Sequence, residues 1–559
     1  MVICGIKMTH DGGIALIENN RLVFSIEMEK INNNFRFSSI ENAEQIEEIL
    51  LASGYQLSDV DRFVVDGWDG LDVSQIRYKV DGVDTPLSVA PYRESKLSED
   101  VLKTFAFNGL QMDGKQWAYH SYYHVTGHIA GAYCTSPFAQ SGEGSYILVW
   151  DGGMFPRLYY FDPVSGKMDN FGALFFLIGN IYHLFAIHFE PFKSQRNSKN
   201  AHLSIAGKVM AYIAKGQAKE EIIQRMFQLY EEELEMSLDY GLLFARKFIK
   251  ETRPDNYCPE DVLASFHVFI QRMLLEKLKD KMERNPRPHT NLCFVGGCAL
   301  NIKWNSAFRR SGLVKDIWVP PFPNDSGSAI GAACAEMMTT KNYALEWSVY
   351  SGTPLNEAEL VAGWQQRDCT IEDLASFLHN EKQPVIFLNG KAELGPRALG
   401  NRSILAAADS EEMKELLNKI KKREAYRPIA PICLEEKASQ IFDPGTPDRY
   451  MLFDHVLRDE WRERIPAIKH LDNTARVQTV SATDHPLIHQ LLTAYEKLSG
   501  IPVLTNTSAN DKGRGFFPDV QSAMVFGRCQ YVWSDNTLYI KESDGKELEE
   551  AIVNELKTA

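Results

Sequence analysis

Two histidines four residues apart, His124 and His128, have the spacing best suited to chemistry in this chain. In a helix, residues i and i+4 share one face, so both imidazoles could bind one metal ion. Such pairs also occur as ordinary polar-face or core histidines, and the spacing alone leaves both interpretations open. Two acidic residues favour the metal, because Asp151 and Asp325 each follow a strand-like run and lie close to glycine. Two imidazoles and two carboxylates would make a mixed nitrogen–oxygen site suited to iron, manganese or zinc.

Arginines in glycine-rich sequence indicate a second site, which would bind an anion. A buried strand is followed by Gly-Pro-Arg-Ala-Leu-Gly-Asn-Arg-Ser, which contains Arg397 and Arg402, and residues 421–428 add further cations including Arg427. Guanidinium groups bind phosphate or carboxylate through two parallel hydrogen bonds. We therefore interpret these three arginines as anion-binding, whereas a solvated face explains Lys421 equally well.

Short polar side chains after a later strand could complete this anion site. Residues 505–510 read Thr-Asn-Thr-Ser-Ala-Asn and follow the apolar run 501–504. Asn506, Ser508 and Asn510 could donate several hydrogen bonds to one small anion, although such residues also simply close turns. Their combination with the arginines favours binding.

Glycine turns after strands are candidate nucleotide-binding loops. Gly296 and Gly297 follow a short apolar run, and Asn301 comes soon after. Glycines at a strand end let backbone N–H groups approach phosphate oxygens closely. The triplet Asp-Gly-Gly also occurs twice, around Gly12 and around Gly152, which suggests two related halves that each offer a loop to a nucleotide. Two ordinary hairpins would give the same pattern, and on this pattern alone they are the preferred interpretation.

The elements that would position these residues follow an α/β pattern. Residues 2–27 predict strand, tight loop, strand, turn and strand, and residues 146–161 begin in the same way. Residues 328–338 predict a small-residue helix that could pack closely on a sheet. Residues 78–100 are polar and predict an irregular, exposed insertion.

Length, charge and cysteine content bound the class of protein. The 559 residues exceed one core, and residues 342–357 lack apolar periodicity, so we predict domains at 1–345 and 346–559. The net charge of −14 argues against a nucleic-acid partner. Nine dispersed cysteines without a Cys-x-x-Cys pair indicate reduced thiols in a cytoplasmic protein. The N-terminus offers no signal peptide, and the most apolar segment, 171–189, is interrupted by polar residues, so no membrane span is expected.

A set of motifs in fixed order runs from near the first residue to about residue 530. They are His10-Asp11, the His124–His128 pair, Asp151-Gly152, Gly207-Lys208-Val209-Met210, Gly296-Gly297-x-Ala299-Leu300-Asn301, Asp325 within Pro-Pro-x-x-x-Asp-x-Gly, the arginine loop 395–403, Tyr426-Arg427-Pro428, Thr474-Ala475-Arg476-Val477-Gln478 and Asn506-Thr507-Ser508-x-Asn510. In this order they resemble the O-carbamoyltransferases of the NodU/CmcH/TobZ type, and the motif of the arginine loop is very specific.

This resemblance implies an α/β fold with two parts. The first is a duplicated actin/sugar-kinase-like (ASKHA) domain, and the second is a YrdC-like α/β domain. Family chemistry makes carbamoyl-adenylate and pyrophosphate from carbamoyl phosphate and ATP, and a hydroxyl of the acceptor then attacks the carbamoyl carbon. The resemblance also implies a divalent metal, Fe²⁺ first and otherwise Mn²⁺, Mg²⁺ or Zn²⁺, at His124, His128, Asp151 and Asp325.

Further roles follow from the resemblance and from position. His10 with Asp11 is the candidate general base for the acceptor hydroxyl. Arg397 and Arg427 are candidate catalytic residues at carbamoyl phosphate. The residues expected to hold ATP and carbamoyl phosphate are Gly12, Gly152, Lys208, Gly296, Gly297, Asn301, Arg402, Asn506, Ser508 and Asn510. The expected partner is a small-molecule hydroxyl acceptor, with a homodimer as an option.

Two departures from the family pattern and two alternatives remain. The basic run that relatives carry after the first hairpin is thinned here to Lys30 and Arg36, which bears on acceptor recognition. Ala509 and Gly513-Arg514 also differ, which bears on the carbamoyl phosphate pocket.

One alternative is a macromolecular acceptor, tRNA or protein; the charge and the missing Cys-x-x-Cys pairs disfavour it. The other is a nucleotide-binding regulator without catalysis.

Overall fold

The computed structural model describes residues 1–197, 201–232, 237–252 and 257–542, and it has a mixed α/β fold, as predicted. Residues 543–559 of the predicted second domain lie outside the described part. The strands up to residue 345 are β1 Val2–Lys7, β2 Gly13–Glu18, β3 Arg21–Glu27, β4 Arg62–Asp66, β5 Ser74–Val80, β6 Val83–Val89, β7 Phe105–Met112, β8 Lys115–Tyr122, β9 Ser145–Val149, β10 Arg157–Asp162, β11 Lys167–Ala173, β12 Leu292–Val295 and β13 Ile317–Trp318. The helices in this part are α1 Ala43–Ala52, α2 His124–Cys134, α3 Pro137–Ser141, α4 Ile181–Ala186, α5 Ala201–Tyr212, α6 Glu220–Glu232, α7 Tyr240–Thr252, α8 Pro259–Arg284, α9 Ile302–Arg310 and α10 Ser328–Thr339.

Two sheets in this part repeat one topology. The first has the order β3-β2-β1-β4-β8-β7, and the second has the order β11-β10-β9-β12-β13. In each sheet the first strand in sequence is antiparallel to its hairpin partner and parallel to the strand on its other side. The repeated order agrees with the two related halves that the Asp-Gly-Gly triplets suggested.

Helices α2 and α10 pack against each other between the two sheets, α2 on the second sheet and α10 on the first. Their crossing is close because glycines meet there. A Cβ atom on Gly331 would lie 2.0 Å from the carbonyl oxygen of Gly127, and one on Gly131 would lie 3.2 Å from the Gly331 Cα. Since α2 carries both histidines, this crossing fixes their position.

A methyl group at this crossing should therefore be costly. We expect Gly331→Ala to force α2 and α10 apart and to lower the free energy of unfolding by about 3 kcal/mol. The matched control is Gly207→Ala, because a Cβ atom there meets nothing within 4 Å in the helix α5, so alanine should be neutral or stabilising. Thermal unfolding followed by circular dichroism compares the two; equal melting temperatures would contradict this account.

The last part of the chain forms an eight-stranded sheet with helices on both faces. Its strands are β14 Trp364–Asp368, β15 Val385–Leu388, β16 Arg402–Ala407, β17 Ala430–Leu434, β21 Gln478–Val480, β22 Val503–Ser508, β23 Tyr531–Ser534 and β24 Thr537–Lys541, and they lie in the order β14-β24-β23-β15-β16-β22-β17-β21. A small separate sheet consists of β18 Phe442–Asp443, β19 His455–Leu457 and β20 Thr474–Ala475. Helices α11 Ile371–Asn380 and α14 Pro486–Ser499 cover one face, α12 Glu411–Ile420 and α15 Val520–Phe526 cover the other, and α13 Ala438–Ile441 precedes β18.

The prediction of an irregular segment at residues 78–100 was wrong for its first part. Strands β5 and β6 form a regular antiparallel hairpin there. Asp81 and Gly82 make its turn with φ of 49° and 76°, a conformation that Asp-Gly turns adopt readily.

Across the described residues, no helix combines the length and apolar character that a membrane crossing requires.

The first and last parts of the chain meet at buried polar contacts. The Lys30 ammonium donates to the carbonyl oxygens of Glu393 and Gly395 and to the Glu27 carboxylate, each at 2.7 Å. Lys30, which the thinned basic run had associated with acceptor recognition, therefore ties the first hairpin to the arginine loop. Residues 34–36 also bond through the backbone to residues 513–515.

Candidate functional site

The two histidines and two aspartates come together between the sheets. His124 and His128 lie on α2, Asp151 directly follows β9, and Asp325 precedes α10. One ligand atom from each residue lies within 4.8 Å of the others. The two imidazole Nε2 atoms are 3.1 Å apart, and they lie 3.4 and 3.5 Å from Asp325 Oδ1. This donor set fits a transition-metal dication.

A buried carboxylate orients the first imidazole. Asp66, at the end of β4, lies 2.7 Å from His124 Nδ1 and holds a proton on that nitrogen, so that Nε2 is the atom directed at the cluster. Lys7, at the end of the neighbouring strand β1, donates to the same Asp66 oxygen at 2.9 Å and contacts Asp325. Burial opposes the charge of Lys7, but the two carboxylates outweigh it and raise the pKa of Lys7.

Asp151 is held by two donors. The Tyr92 hydroxyl donates to Oδ2 at 2.6 Å, and the backbone N–H of Gly297 donates to Oδ1 at 2.8 Å. Burial, followed by the charges of Asp151 and Asp325, raises the pKa of Tyr92, so this hydroxyl stays protonated and donating. Gly297, the second glycine of the Gly-Gly turn, thus holds Asp151 in place in the acidic cluster, by which we mean the histidine–aspartate cluster of His124, His128, Asp151 and Asp325.

His10 lies beside the cluster with Asp11 as its partner. His10 Nδ1 is 2.9 Å from Asp11 Oδ2, and His10 Nε2 is 3.7 Å from Asp325 Oδ2. Burial alone would lower the pKa of His10, but the hydrogen bond to Asp11 and the charge of Asp325 raise it. Asp11 adopts φ of 54°, a left-handed conformation that its short polar side chain tolerates.

A cavity of about 480 Å³ opens next to His10. The Trp68 indole and the hairpin β5–β6 form part of its wall. The hairpin contributes the charged residues Arg77, Lys79 and Asp84, and the rest of the lining mixes apolar residues such as Ile40 with polar ones such as Glu41. The cavity therefore places polar groups around a volume of ligand size that ends at His10.

The glycines predicted to bind nucleotide lie in tight packing. The Gly296 N–H donates to the Pro323 carbonyl oxygen, and a Cβ atom on Gly296 would lie 2.4 Å from the Trp150 carbonyl oxygen. Gly12 and Gly152 likewise use backbone groups, the first with residues 28 and 38 and the second with residue 180. Asn301 caps α9 by accepting from Lys303 and Trp304 N–H groups. The role of these four residues in nucleotide binding stays a prediction.

A basic cluster of the buried Lys421 and three half-buried arginines, Arg423, Arg427 and Arg476, forms around the end of β22. The Lys421 ammonium, 4% exposed, donates to the Ser508 carbonyl oxygen and the Asn510 side-chain oxygen, both at 2.6 Å. The Arg423 guanidinium donates to the Thr507 hydroxyl at 2.8 Å. Lys421, which the sequence left undecided between a site and a solvated face, is therefore part of the interior.

Further cations crowd this cluster. Burial, followed by repulsion from Arg427 and Arg476, lowers the pKa of Arg423 to about 9, and burial with repulsion from Arg427 lowers that of Arg476 to about 10. The buried Nε of Arg476 has no hydrogen-bond partner among the described residues. Lys208 of α5 joins from the first part of the chain, because its ammonium lies 3.7 Å from the Glu424 carboxylate, and burial together with the charges of Lys512 and Arg427 lowers the pKa of Lys208. A positive cluster with an unpaired donor is suited to a small polyanion.

Three residues predicted to bind carbamoyl phosphate bind the protein itself. Arg397 donates to the carbonyl oxygens of Leu300, Tyr450 and Met451. Arg402, 1% exposed, donates to four carbonyl oxygens of residues 353, 389, 390 and 401. Asn506 donates to Ala398 and Gln478. Their guanidinium and amide groups hold the arginine loop in place.

The arginine loop is also organised from within by a buried acid. One Glu393 carboxylate oxygen accepts from the backbone N–H groups of Leu399, Asn401 and Arg402 at 2.7 to 3.0 Å. These N–H groups are therefore already bonded to an internal anion. Of the residues predicted for carbamoyl phosphate, Arg427, Ser508 and Asn510 lie at the basic cluster, where the Ser508 hydroxyl donates to Asn510 and the Asn510 amide donates to the carbonyl oxygens of residues 511 and 514.

Comparison with known proteins decides the family. The family model described as Carbamoyltransferase N-terminus matches residues 2–334, and that described as Carbamoyltransferase C-terminus matches residues 375–539. This chain belongs to the carbamoyltransferase family. Nodulation protein U of Rhizobium tropici is 48% identical to this carbamoyltransferase over 559 residues, covering 97% of this chain and 96% of the relative.

A second relative carries a reaction in its name. The 3'-hydroxymethylcephem-O-carbamoyltransferase of Amycolatopsis lactamdurans is 30% identical to this carbamoyltransferase over 539 residues, covering 94% of this chain and 96% of the relative. Among solved structures, component A of (R)-2-hydroxyglutaryl-CoA dehydratase from Acidaminococcus fermentans covers 61% of this chain and 99% of its own, at 12% identity and a TM-score of 0.33, which is too distant to argue from. The family membership makes this chain an enzyme.

Several site residues of this carbamoyltransferase were missed from its sequence. Lys7, Asp66 and Tyr92 surround the acidic cluster, and Arg423 and Arg476 belong to the basic one. A signal existed for the first two, because each ends an apolar strand, and parallel neighbours bring such ends together. Arg476 lies within the motif Thr474-Ala475-Arg476-Val477-Gln478, but no function was predicted for it from the sequence.

Proposed function

We propose that this enzyme is an ATP-dependent O-carbamoyltransferase that works in two stages at two sites. The basic cluster makes carbamoyl-adenylate, and the histidine–aspartate cluster transfers the carbamoyl group to a hydroxyl of a small molecule, a natural product or a sugar. The observation that carries the proposal is the presence, in one carbamoyltransferase chain, of an interior cationic cluster and a separate mixed nitrogen–oxygen cluster.

In the first stage, water releases phosphate from carbamoyl phosphate, and an oxygen of the resulting carbamate attacks the α-phosphorus of ATP. The bond from that phosphorus to pyrophosphate breaks, which leaves carbamoyl-adenylate, pyrophosphate and inorganic phosphate. Arg423, Arg427 and Arg476 would bind the phosphoryl oxygens, and Lys421 would hold the loop that carries Ser508 and Asn510 against them. Positioning and charge stabilisation account for most of such catalysis.

His124, His128, Asp151 and Asp325 would hold the divalent metal. Two imidazoles favour iron, manganese or zinc over magnesium. When bound, the metal supplies a Lewis acid for the carbamoyl oxygen or the phosphate. Asp66 keeps His124 in the tautomer that binds a metal, and Tyr92 with the Gly297 N–H orients Asp151.

In the second stage, the acceptor lies in the cavity beside His10. Its oxygen forms a bond to the carbamoyl carbon, the bond from that carbon to the AMP oxygen breaks, and AMP leaves. The hydroxyl proton passes to His10 Nε2, because Nδ1 is held by Asp11. The mixed charge of the cavity suits an uncharged or zwitterionic acceptor with several polar groups.

His10→Asn tests this assignment of the base. The variant should lower the rate of carbamoyl transfer by about 10² to 10⁴, since it removes the proton acceptor, and should leave pyrophosphate release unchanged. His289→Asn, at an exposed histidine, is the control. Transfer that proceeds at the same rate in His10→Asn would remove His10 from the mechanism.

The fold and setting that accompany this function are an ASKHA-type duplicated domain, a YrdC-like domain and a reducing cytoplasm. The repeated sheet order supports the first, and nine free cysteines suit the last. The net charge of −14 disfavours a tRNA acceptor.

The proposal is tested by incubating the enzyme with ATP, labelled carbamoyl phosphate and a panel of hydroxyl compounds. We expect pyrophosphate, AMP and a carbamate ester of one compound. Absence of pyrophosphate release with every acceptor would favour a regulator instead.

A further inference from the structure

Lys7 carries a buried positive charge next to the acidic cluster. It is 1% exposed, its ammonium lies 2.9 Å from Asp66 Oδ2 and 3.0 Å from Asp325 Oδ2, and the Trp68 ring covers it at 4.6 Å. A buried ammonium costs free energy unless it is paired. Because its partner Asp325 is a candidate metal ligand, a purely structural ion pair does not fully explain why a lysine occupies position 7.

The two oxygens of Asp325 face different groups. Oδ2 lies near Lys7 and, at 3.7 Å, near His10, whereas Oδ1 lies 3.4 and 3.5 Å from the imidazoles of His124 and His128. The ammonium therefore occupies one oxygen and leaves the other free for a metal. Asp66 differs from Asp325, because one of its oxygens, Oδ2, contacts both Lys7 and His124.

We propose that Lys7 is a positioning residue that restricts Asp325 to metal coordination through one oxygen and weakens metal binding while keeping the metal electron-poor. The proposal rests on the metal centre of the proposed function. Lys7 touches no substrate and acts through Asp325.

The charges in the cluster support this role. Asp66, Asp151 and Asp325 contribute three negative charges, and a dication with Lys7 contributes three positive ones, so these five groups sum to zero charge when both imidazoles are neutral. Without Lys7 the same groups would sum to one negative charge. It would then attract a dication more strongly and donate more charge to it.

The test measures the dissociation constant for Mn²⁺ by calorimetry in the full chain. We expect Lys7→Gln and Lys7→Met to bind Mn²⁺ about tenfold more tightly than the native enzyme, with slower carbamoyl transfer and unchanged pyrophosphate release. X-ray absorption should then report a further carboxylate oxygen on the metal. Lys7→Gln retains an amide donor for the carboxylates and so guards against a failure of Lys7→Met to fold.

Lys30→Gln is the matched control, because Lys30 is also buried and paired with a carboxylate, Glu27, but bonds to the arginine loop. Its affinity for Mn²⁺ should equal that of the native enzyme. Weaker or unchanged Mn²⁺ binding in both Lys7 variants would overturn the role of Lys7 alone. Failure of the native enzyme to bind Mn²⁺, Fe²⁺ or Zn²⁺ would overturn the metal centre and this role together.

Discussion

Replacing Arg476 by glutamine should lower pyrophosphate release from ATP and carbamoyl phosphate by a factor of about 10³, because a preorganised donor to the phosphoryl group is lost. The buried Nε of Arg476 has no hydrogen-bond partner in the described part of the chain, and the positive charges of Arg427 and Arg423 repel this guanidinium. An anion in the cluster relieves that repulsion, so each cation contributes strongly. A colorimetric assay of pyrophosphate, without acceptor, measures the effect.

Arg367→Gln is the control for this variant, because Arg367 is exposed on the edge strand β14. It should release pyrophosphate at the native rate. The Arg476 variant should keep its metal content and should still transfer the carbamoyl group when it is given synthetic carbamoyl-adenylate. Unchanged pyrophosphate release in Arg476→Gln would place the first stage elsewhere.

Replacing His124 by alanine should have the opposite pattern. Loss of a ligand should weaken metal affinity more than about a hundredfold, since even outer partners of such ligands contribute ten- to a hundredfold. Transfer to the acceptor should then fall below detection, while pyrophosphate release continues. Metal content by atomic emission and acceptor mass by mass spectrometry follow the two effects.

His120→Ala offers a comparison for this second variant, because His120 is a part-exposed histidine that bonds to the buried Glu336 of α10, and neither residue belongs to the histidine–aspartate cluster. It should retain metal and transfer. A His124→Ala enzyme that keeps a full complement of metal would refute the ligand assignment. Loss of metal without loss of transfer would refute its role in the second stage.

The sequence predicted the acidic cluster better than its surroundings. Two histidines at helical spacing and two strand-end aspartates are local patterns, and the structure brings all four within 4.8 Å. The partners Lys7 and Asp66 depend on which strands are neighbours. That depends on the topology of the whole sheet, which a local pattern does not contain.

The basic site shows a different limit. Glycine-rich arginine sequence was interpreted as anion-binding, but Arg397 and Arg402 donate to carbonyl oxygens in the folded chain, and the Glu393 carboxylate accepts from the backbone N–H groups of the loop. Sequence spacing does not tell which acceptor a guanidinium finds in the folded chain. The hairpin at 74–89 was a different kind of miss, because its Asp-Gly turn signal was present and was not used.

The most direct test of the account follows labelled α-phosphate of ATP in His124→Ala. If the two stages occur at two sites, this variant will release pyrophosphate and form labelled carbamoyl-adenylate and will yield no carbamate ester. A variant that forms no adenylate, or that still carbamoylates the acceptor at the native rate, would contradict the division of labour between the basic cluster and the histidine–aspartate cluster.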